Sequence, residues 1–175
     1  MTHPDERMTQ PHDGAAPETT TFNLLFVCTG NTCRSPMAEG IARHELRERG
    51  WSHVQVASAG LAALEGQPAT REAVAVAARH GVDLSAHRSR PAADELVRWA
   101  DLVLAMGSSH LAGVARLGGR GKGALLSSFA AGEGGRGAGV PDPYGGGEAV
   151  YEATFLELRR LISASLDRLA PILHP

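Results

Sequence analysis

Cysteine is scarce in this sequence, with two in 175 residues. That excludes a disulfide-stapled secreted scaffold, and in a reducing compartment a free thiol is more often functional than structural. No run approaches the ~18 consecutive apolar residues of a membrane span. Neither sign of charge dominates: the net charge is −2, which leaves no electrostatic footprint for nucleic acid or an anionic membrane. The first twenty residues, punctuated by Pro4, Pro11, Gly14 and Pro17, lack the apolar core of a secretory signal and read as a disordered tail over 1–20. The expected setting is the cytoplasm. What remains, 21–172, has the apolar content and length of one well-buried domain.

The most informative stretch present is Phe22 to Arg49. Phe22, Leu24, Leu25, Phe26 and Val27 form an apolar run that ends in Cys28. The chain then turns through Gly30 and Asn31 and enters a helical pattern after Arg34-Ser35-Pro36. Strand, tight loop and helix start in this order aim backbone N–H groups and a helix dipole at one point, which favours an anion. Arg34 adds a planar fork that can hold two phosphate oxygens. A thiolate is stabilised beside cations and at helix N-termini, and here Cys28 would have both, with the Ser35 hydroxyl as a further donor. Gly30 and Asn31 are the residue types that tolerate the positive φ of a tight anion nest. The loop is therefore expected to bind phosphate and Cys28 to attack it.

Helical spacing of Met37, Ile41, Ala42 and Leu46 predicts a helix over 35–49, stopped by Gly50. A short strand is expected at 53–57, a helix from Thr70 to His80, and another over 92–99. Asp101 to Ala105 reads as a buried strand, 108–117 as a helix and 123–126 as a weakly marked strand. The Gly- and Pro-rich segment 131–147 reads as loop. Tyr151, Phe155, Leu158, Ile162, Leu166 and Leu169 give one face of a final helix. Alternating strands and helices predict an α/β fold: a single domain with a four-stranded parallel sheet, helices on both faces and the phosphate loop after the first strand. Ligands in such folds gather at the carboxyl ends of strands, where Cys28 lies.

Other chemistries fail on counting. Zinc needs four ligands, and Cys28 and Cys33 are not at C-x₂-C spacing, so no metal and no cofactor is expected. Gly132 to Gly137 matches G-x-G-x-x-G but neither follows a clear strand nor opens a helix. His87 and Arg90 read as structural residues, with support of the Cys28 loop as the alternative.

The run Phe26-Val27-Cys28-Thr29-Gly30-Asn31-Thr32-Cys33-Arg34-Ser35-Pro36-Met37-Ala38-Glu39 resembles the signature of the low-molecular-weight protein tyrosine phosphatases. Ser58-Ala59-Gly60, His87-Arg88-Ser89-Arg90 and Asp142-Pro143-Tyr144 extend the likeness. The resemblance implies a metal-independent phosphatase in which Cys28 is the nucleophile, Arg34 the phosphate clamp and Asp142 the general acid. Thr29, Gly30, Asn31, Thr32, Cys33 and Ser35 would form the phosphate-binding loop, and Cys28 and Cys33 the redox pair known in this family. An acid is also what the chemistry requires, since a leaving oxygen or nitrogen departs far better protonated. Thr32 stands where the tyrosine-specific members carry Ile or Leu; the bacterial protein arginine phosphatase-like branch carries Thr. A smaller, polar wall suits a guanidinium, so phosphoarginine is favoured and phosphotyrosine is the alternative. Tyr144 would wall the pocket in either case. A thioredoxin-coupled arsenate reductase of this fold would need a further cysteine pair downstream of Cys33, which is absent. The remaining alternatives are a non-catalytic phospho-group binding module and a thiol redox sensor. The expected working unit is a monomer acting on phosphorylated protein.

Overall fold

The computed structural model describes residues 20–174. The tail expected over 1–20 lies, apart from Thr20, outside the described residues. Four parallel strands, β1 (Phe22–Cys28), β2 (Val54–Gly60), β3 (Leu102–Ala105) and β4 (Gly123–Leu125), pair in the order β2-β1-β3-β4. Helices cover both faces. On one lie α1 (Arg34–Arg49), α2 (Arg71–Arg79), α5 (Leu126–Ala131) and α6 (Glu148–Leu173); on the other, α3 (Asp94–Trp99) and α4 (Ser108–Val114). This is the expected architecture.

The continuous apolar run of β1 follows from its central place. Leu24 and Phe26 pack towards Met37, Ile41, Phe155 and Leu158, whereas Leu25 and Val27 pack towards Val97, Val103 and Val114. A strand buried on both faces has no polar side to alternate with. Cys28 shares the α1 face with Leu24 and Phe26, as a period of two requires. Because β2 and β3 flank β1 on opposite sides, the strand order reverses at β1, and its carboxyl end opens into a crevice suited to a ligand.

Local signals set the helix ends. Gly50 takes φ 71°, its N–H donates to Arg47 O, and Trp51 N donates to Leu46 O. These bonds satisfy the last carbonyls of α1 in the manner of a left-handed glycine cap. The Thr70 hydroxyl accepts from Ala73 N at the start of α2, an N-cap bond. The final helix buries all six residues of the expected stripe and runs through Pro171 to Leu173.

Four elements differ from expectation. β2 continues past Ala57 to Gly60, because Leu61 N and Ala62 N find carbonyl partners at Cys28 and Thr29. The helix expected from Ala92 starts at Asp94, since the Ala92 N–H is used by Gly60 O. The helix expected to reach Leu117 is regular only to Val114, then winds as a π turn, Ala115–Gly119, in which Gly118 has φ 90°. Residues 126–131 form α5, which at six residues is too short to show a period and buries Leu126 alone.

Candidate active site

The loop from Cys28 to Ser35 closes around one buried asparagine. Asn31 is fully buried and is the one non-glycine residue with positive φ (56°) among those described. Gly30 does not adopt positive φ; contrary to expectation, the left-handed step falls on Asn31 alone. Every polar group of Asn31 is paired. Its Nδ2 donates to Ser35 Oγ at 2.8 Å and to Ser58 Oγ at 3.0 Å, its Oδ1 accepts from Arg90 N, and its carbonyl accepts from His87 Nε2 at 2.7 Å. Its own N–H points at Cys28 Sγ, 3.3 Å away.

Both protons of the Asn31 amide are spent on the two serines. Ser58 passes its own proton to Glu39 Oε2. Ser35 Oγ accepts from Asn31 Nδ2 and lies 2.8 Å from Cys28 Sγ, so its own proton is free to point at the sulfur. Two groups able to donate, the Ser35 hydroxyl and the Asn31 N–H, thus face the sulfur. His87 Nδ1 lies 3.8 Å from Glu39 Oε2, and Arg90 Nε donates to Ser58 O, so both residues brace the loop through Asn31 and Ser58. Their structural reading and their support of the site turn out to be one role. A cleft of about 350 Å³ behind the loop is lined in part by Glu39, Ser58, His87 and Arg90. A larger one, about 550 Å³, runs past Trp51 and Arg47 along β2 and contains none of the expected site residues.

Gly60 permits the loop to lie where it does. A side-chain carbon there would sit 2.5 Å from Thr29 O and 2.9 Å from Asn31 N, both backbone atoms that cannot rotate away. On the other flank, Thr32 O accepts from Thr70 N at 3.0 Å, which ties the loop to α2. Thr32 is half-buried. Cys33 faces the core: its sulfur lies 3.2 Å from Tyr151 Oη and 3.7 Å from Thr70 Oγ1. Burial, then the bond to Cys33, pushes the Tyr151 phenol far above its ordinary pKa, so it stays neutral. Both cysteines are free thiols.

Arg34 opens α1 with its side chain 9% exposed. One guanidinium nitrogen donates to Val140 O at 3.0 Å, and another stands 3.6 Å from Asp142 Oδ2, whose side chain is 51% exposed. Val140 N in turn donates to Met106 O at the end of β3. The segment carrying Asp142 is therefore hung from a strand end and from the loop arginine. Tyr144 N donates to Asp142 Oδ1, while the Tyr144 side chain is 74% exposed. The arrangement brings a sulfur with two hydrogen-bond donors, a guanidinium and a solvent-reachable carboxyl to one end of the sheet. Among the described residues no three His, Cys, Asp or Glu side chains gather in a way that could hold a metal, and no helix is long and apolar enough to cross a membrane.

Ser58, Glu39 and His110 join the site without having been singled out for it from the sequence. Ser58 and Glu39 stood inside motifs quoted for other reasons; His110, 2.8 Å from Thr29 Oγ1, carried no local signal at all.

Comparison with known proteins places this geometry among relatives. The family model described as low molecular weight phosphotyrosine protein phosphatase matches residues 23–171. The chain is 40% identical over 151 residues to a protein-arginine-phosphatase of Geobacillus stearothermophilus, covering 85% of this chain and 94% of that one. It is 38% identical over 152 residues to the low molecular weight protein-tyrosine-phosphatase Etp of Escherichia coli K12, covering 85% and 96%. A shorter similarity, 47% over 87 residues, to the probable low molecular weight protein-tyrosine-phosphatase EpsP of Ralstonia solanacearum spans half of this chain and 57% of that relative. Among solved structures, the YwlE arginine phosphatase in a cysteine-to-serine mutant form with a phosphorylated active-site serine superposes with a TM-score of 0.79. The identity is 36%, with 85% of this chain and 95% of that one covered.

Proposed function

The chain belongs to the low molecular weight phosphotyrosine protein phosphatase family, and from that premise we propose that it hydrolyses phosphoarginine in protein substrates through a phosphocysteine on Cys28. The observation that carries the reading is the convergence on Cys28 Sγ of the Ser35 hydroxyl and the Asn31 N–H, with Arg34 held beside Asp142. In the first step Cys28 Sγ attacks phosphorus in line, an S–P bond forms and the P–N bond breaks. Asp142 gives its proton to the departing guanidino nitrogen. In the second step water attacks phosphorus, Asp142 takes the water's proton, the S–P bond breaks and inorganic phosphate leaves. Arg34 holds two equatorial oxygens, and the loop amides neutralise charge as it develops. Protonation of the leaving group contributes ~10²–10⁴-fold.

The relative whose active-site serine is phosphorylated in place of cysteine supports a covalent intermediate at the matching position. Hydrolysis of an aryl phosphate that persists in Cys28→Ser would remove the assignment.

The preference for arginine rests on Thr32. A half-buried β-branched residue with a hydroxyl leaves more room than Ile and offers a guanidinium an acceptor. A second reading, phosphotyrosine hydrolysis by the same two steps, has its own support, because the identities to the arginine- and tyrosine-phosphatase relatives are nearly equal. Rates on phosphoarginine and phosphotyrosine peptides, for wild type and Thr32→Ile, separate them. The expected result is faster phosphoarginine turnover in wild type and a swing towards phosphotyrosine in the variant. A preference unmoved by the substitution leaves the arginine reading without support.

A further inference from the structure

His110 is 6% exposed and stands on α4, directly after β3. Its Nε2 is bonded to Thr29 Oγ1, but Nδ1 is buried with no hydrogen-bond partner. A side-chain carbon placed on Gly107 would lie 3.5 Å from Nδ1, so that nitrogen faces the turn between β3 and α4. The same turn anchors both parts of the site. Met106 N donates to Val27 O, beside Cys28, and Met106 O accepts from Val140 N, two residues before Asp142. An imidazole buried with one nitrogen unpaired costs free energy that an apolar side chain of similar size would not. The compensation lies in the Thr29 bond, at the residue following the nucleophile.

We propose that His110 is a positioning residue for the reaction, clamping the Thr29 end of the phosphate loop to α4 so that Cys28 and Asp142 share one rigid frame. It touches neither phosphorus nor the leaving group; it acts through Thr29. The ring works uncharged: burial, then the Arg34 guanidinium, holds its pKa below the ordinary histidine value, with Asp142 opposing. A neutral ring and a hydroxyl share a single proton along Nε2···Oγ1, and either tautomer can serve. The contact fixes the Cys28–Thr29 peptide without adding a second cation beside Arg34. A clamp of this kind raises the fraction of molecules in which sulfur, phosphorus and the acid are aligned. It therefore acts on kcat and leaves the binding of a small phosphate ester nearly untouched.

The inference rests on the proposed role of Cys28, so Cys28→Ser is measured in the same series with an aryl phosphate. Turnover surviving in Cys28→Ser removes the nucleophile assignment whatever His110 does. With Cys28→Ser inactive, His110→Ala and Thr29→Val are each expected to lower kcat about tenfold, with KM changed less than about twofold. The double variant should be no slower than the slower single one, because both changes remove the same contact. His110→Gln, whose amide can reach the Thr29 hydroxyl, should recover most of the wild-type kcat. Wild-type kcat in His110→Ala, multiplicative losses in the double variant, or a Gln variant as slow as Ala would overturn the proposal. If His110→Ala does not fold, the near-isosteric Thr29→Val carries the test, and an undiminished kcat there overturns it equally.

Discussion

Asn31, at the centre of the phosphate loop, is fully buried and spends its side-chain amide, its N–H and its carbonyl on named partners. Asp142, beside Arg34, is half exposed, bonded through Oδ1 to the N–H of Tyr144 and lying 3.6 Å from the guanidinium. One region is fixed by a hydrogen-bond network that links Glu39 and His87 to Cys28 through Ser58, Asn31 and Ser35; the other hangs from Met106 and Arg34 at the end of a Gly-rich segment. Under the proposed cycle the contrast follows from what each region must do. Oriented dipoles stabilise developing charge only if they need no reorganisation. A group that delivers a proton and then recovers one from water needs access to solvent. The proposed cycle therefore requires rigidity on one side and exposure on the other.

The largest effect should come from the exposed side. Asp142→Asn is expected to lower kcat on a phosphoarginine peptide by ~10²–10⁴-fold, since the guanidino nitrogen then leaves unprotonated. Stability should change by no more than about 0.5 kcal/mol, as for other surface substitutions. Activity on an aryl phosphate with a stabilised leaving group should fall less. Steady-state kinetics on both substrates and one urea titration check all three statements, and equal losses on the two substrates would break the assignment of Asp142 as the acid.

The buried side should respond in the opposite currency. Asn31→Ala leaves the Arg90 N–H without its acceptor, takes from the Ser35 and Ser58 hydroxyls the amide that donates to each, and puts at φ 56° a residue that adopts the left-handed region less readily than asparagine. Unsatisfied buried groups and the left-handed backbone together should lower stability by about 3 kcal/mol. The urea midpoint should fall accordingly, and kcat should fall with it because Ser35 loses the partner that orients its proton towards sulfur. Stability close to wild type in Asn31→Ala would mean that the loop is held by other contacts, and the distinction between a fixed cradle and a loosely hung acid would fail.

The same contrast governs what the sequence discloses. Strand β1, the loop and the start of α1 are contiguous, so Cys28, Asn31, Arg34 and Ser35 could be read together from one stretch with strand, turn and helix signals in order. The α6 stripe was equally legible because twenty-six residues give a period time to repeat. Long-range partners leave no such trace. Glu39, Ser58 and His87 reach Asn31 or its neighbours from α1, β2 and the segment before α3, and nothing local says which way their side chains face. His110 was invisible because its signal is burial against a loop 81 residues earlier. Gly30 misled for a physical reason: glycine permits positive φ but does not demand it, and Asn31 took that step instead. Residues 126–131 were missed since a six-residue helix presents one buried side chain and no repeat.

The smallest expected effect links the two regions through His110. Its folded-state pKa is depressed from 6.5, chiefly by burial and next by Arg34, while Asp142 pulls the other way. A depressed histidine binds fewer protons folded than unfolded. Stability is therefore complete above about pH 6.5 and declines as pH falls towards the folded value, with a slope of at most ~1.4 kcal/mol per pH unit for one proton. His110→Gln removes that contribution, so the difference in unfolding free energy between wild type and variant should vary with pH only below about 6.5. Asp142→Asn should act in a predictable direction on the same measurement. Without the carboxylate, the repulsion from Arg34 loses the charge that opposes it, the folded pKa drops further, and the pH-dependent decline should extend to lower pH than in wild type. Urea titrations of the three proteins between pH 5 and 8, a range set by histidine titration, give the comparison. A wild-type curve parallel to that of His110→Gln across the range would mean that the ring is no harder to charge in the folded protein than in the unfolded chain. An unchanged decline in Asp142→Asn would show that the exposed acid is electrostatically separate from the junction on which its segment hangs.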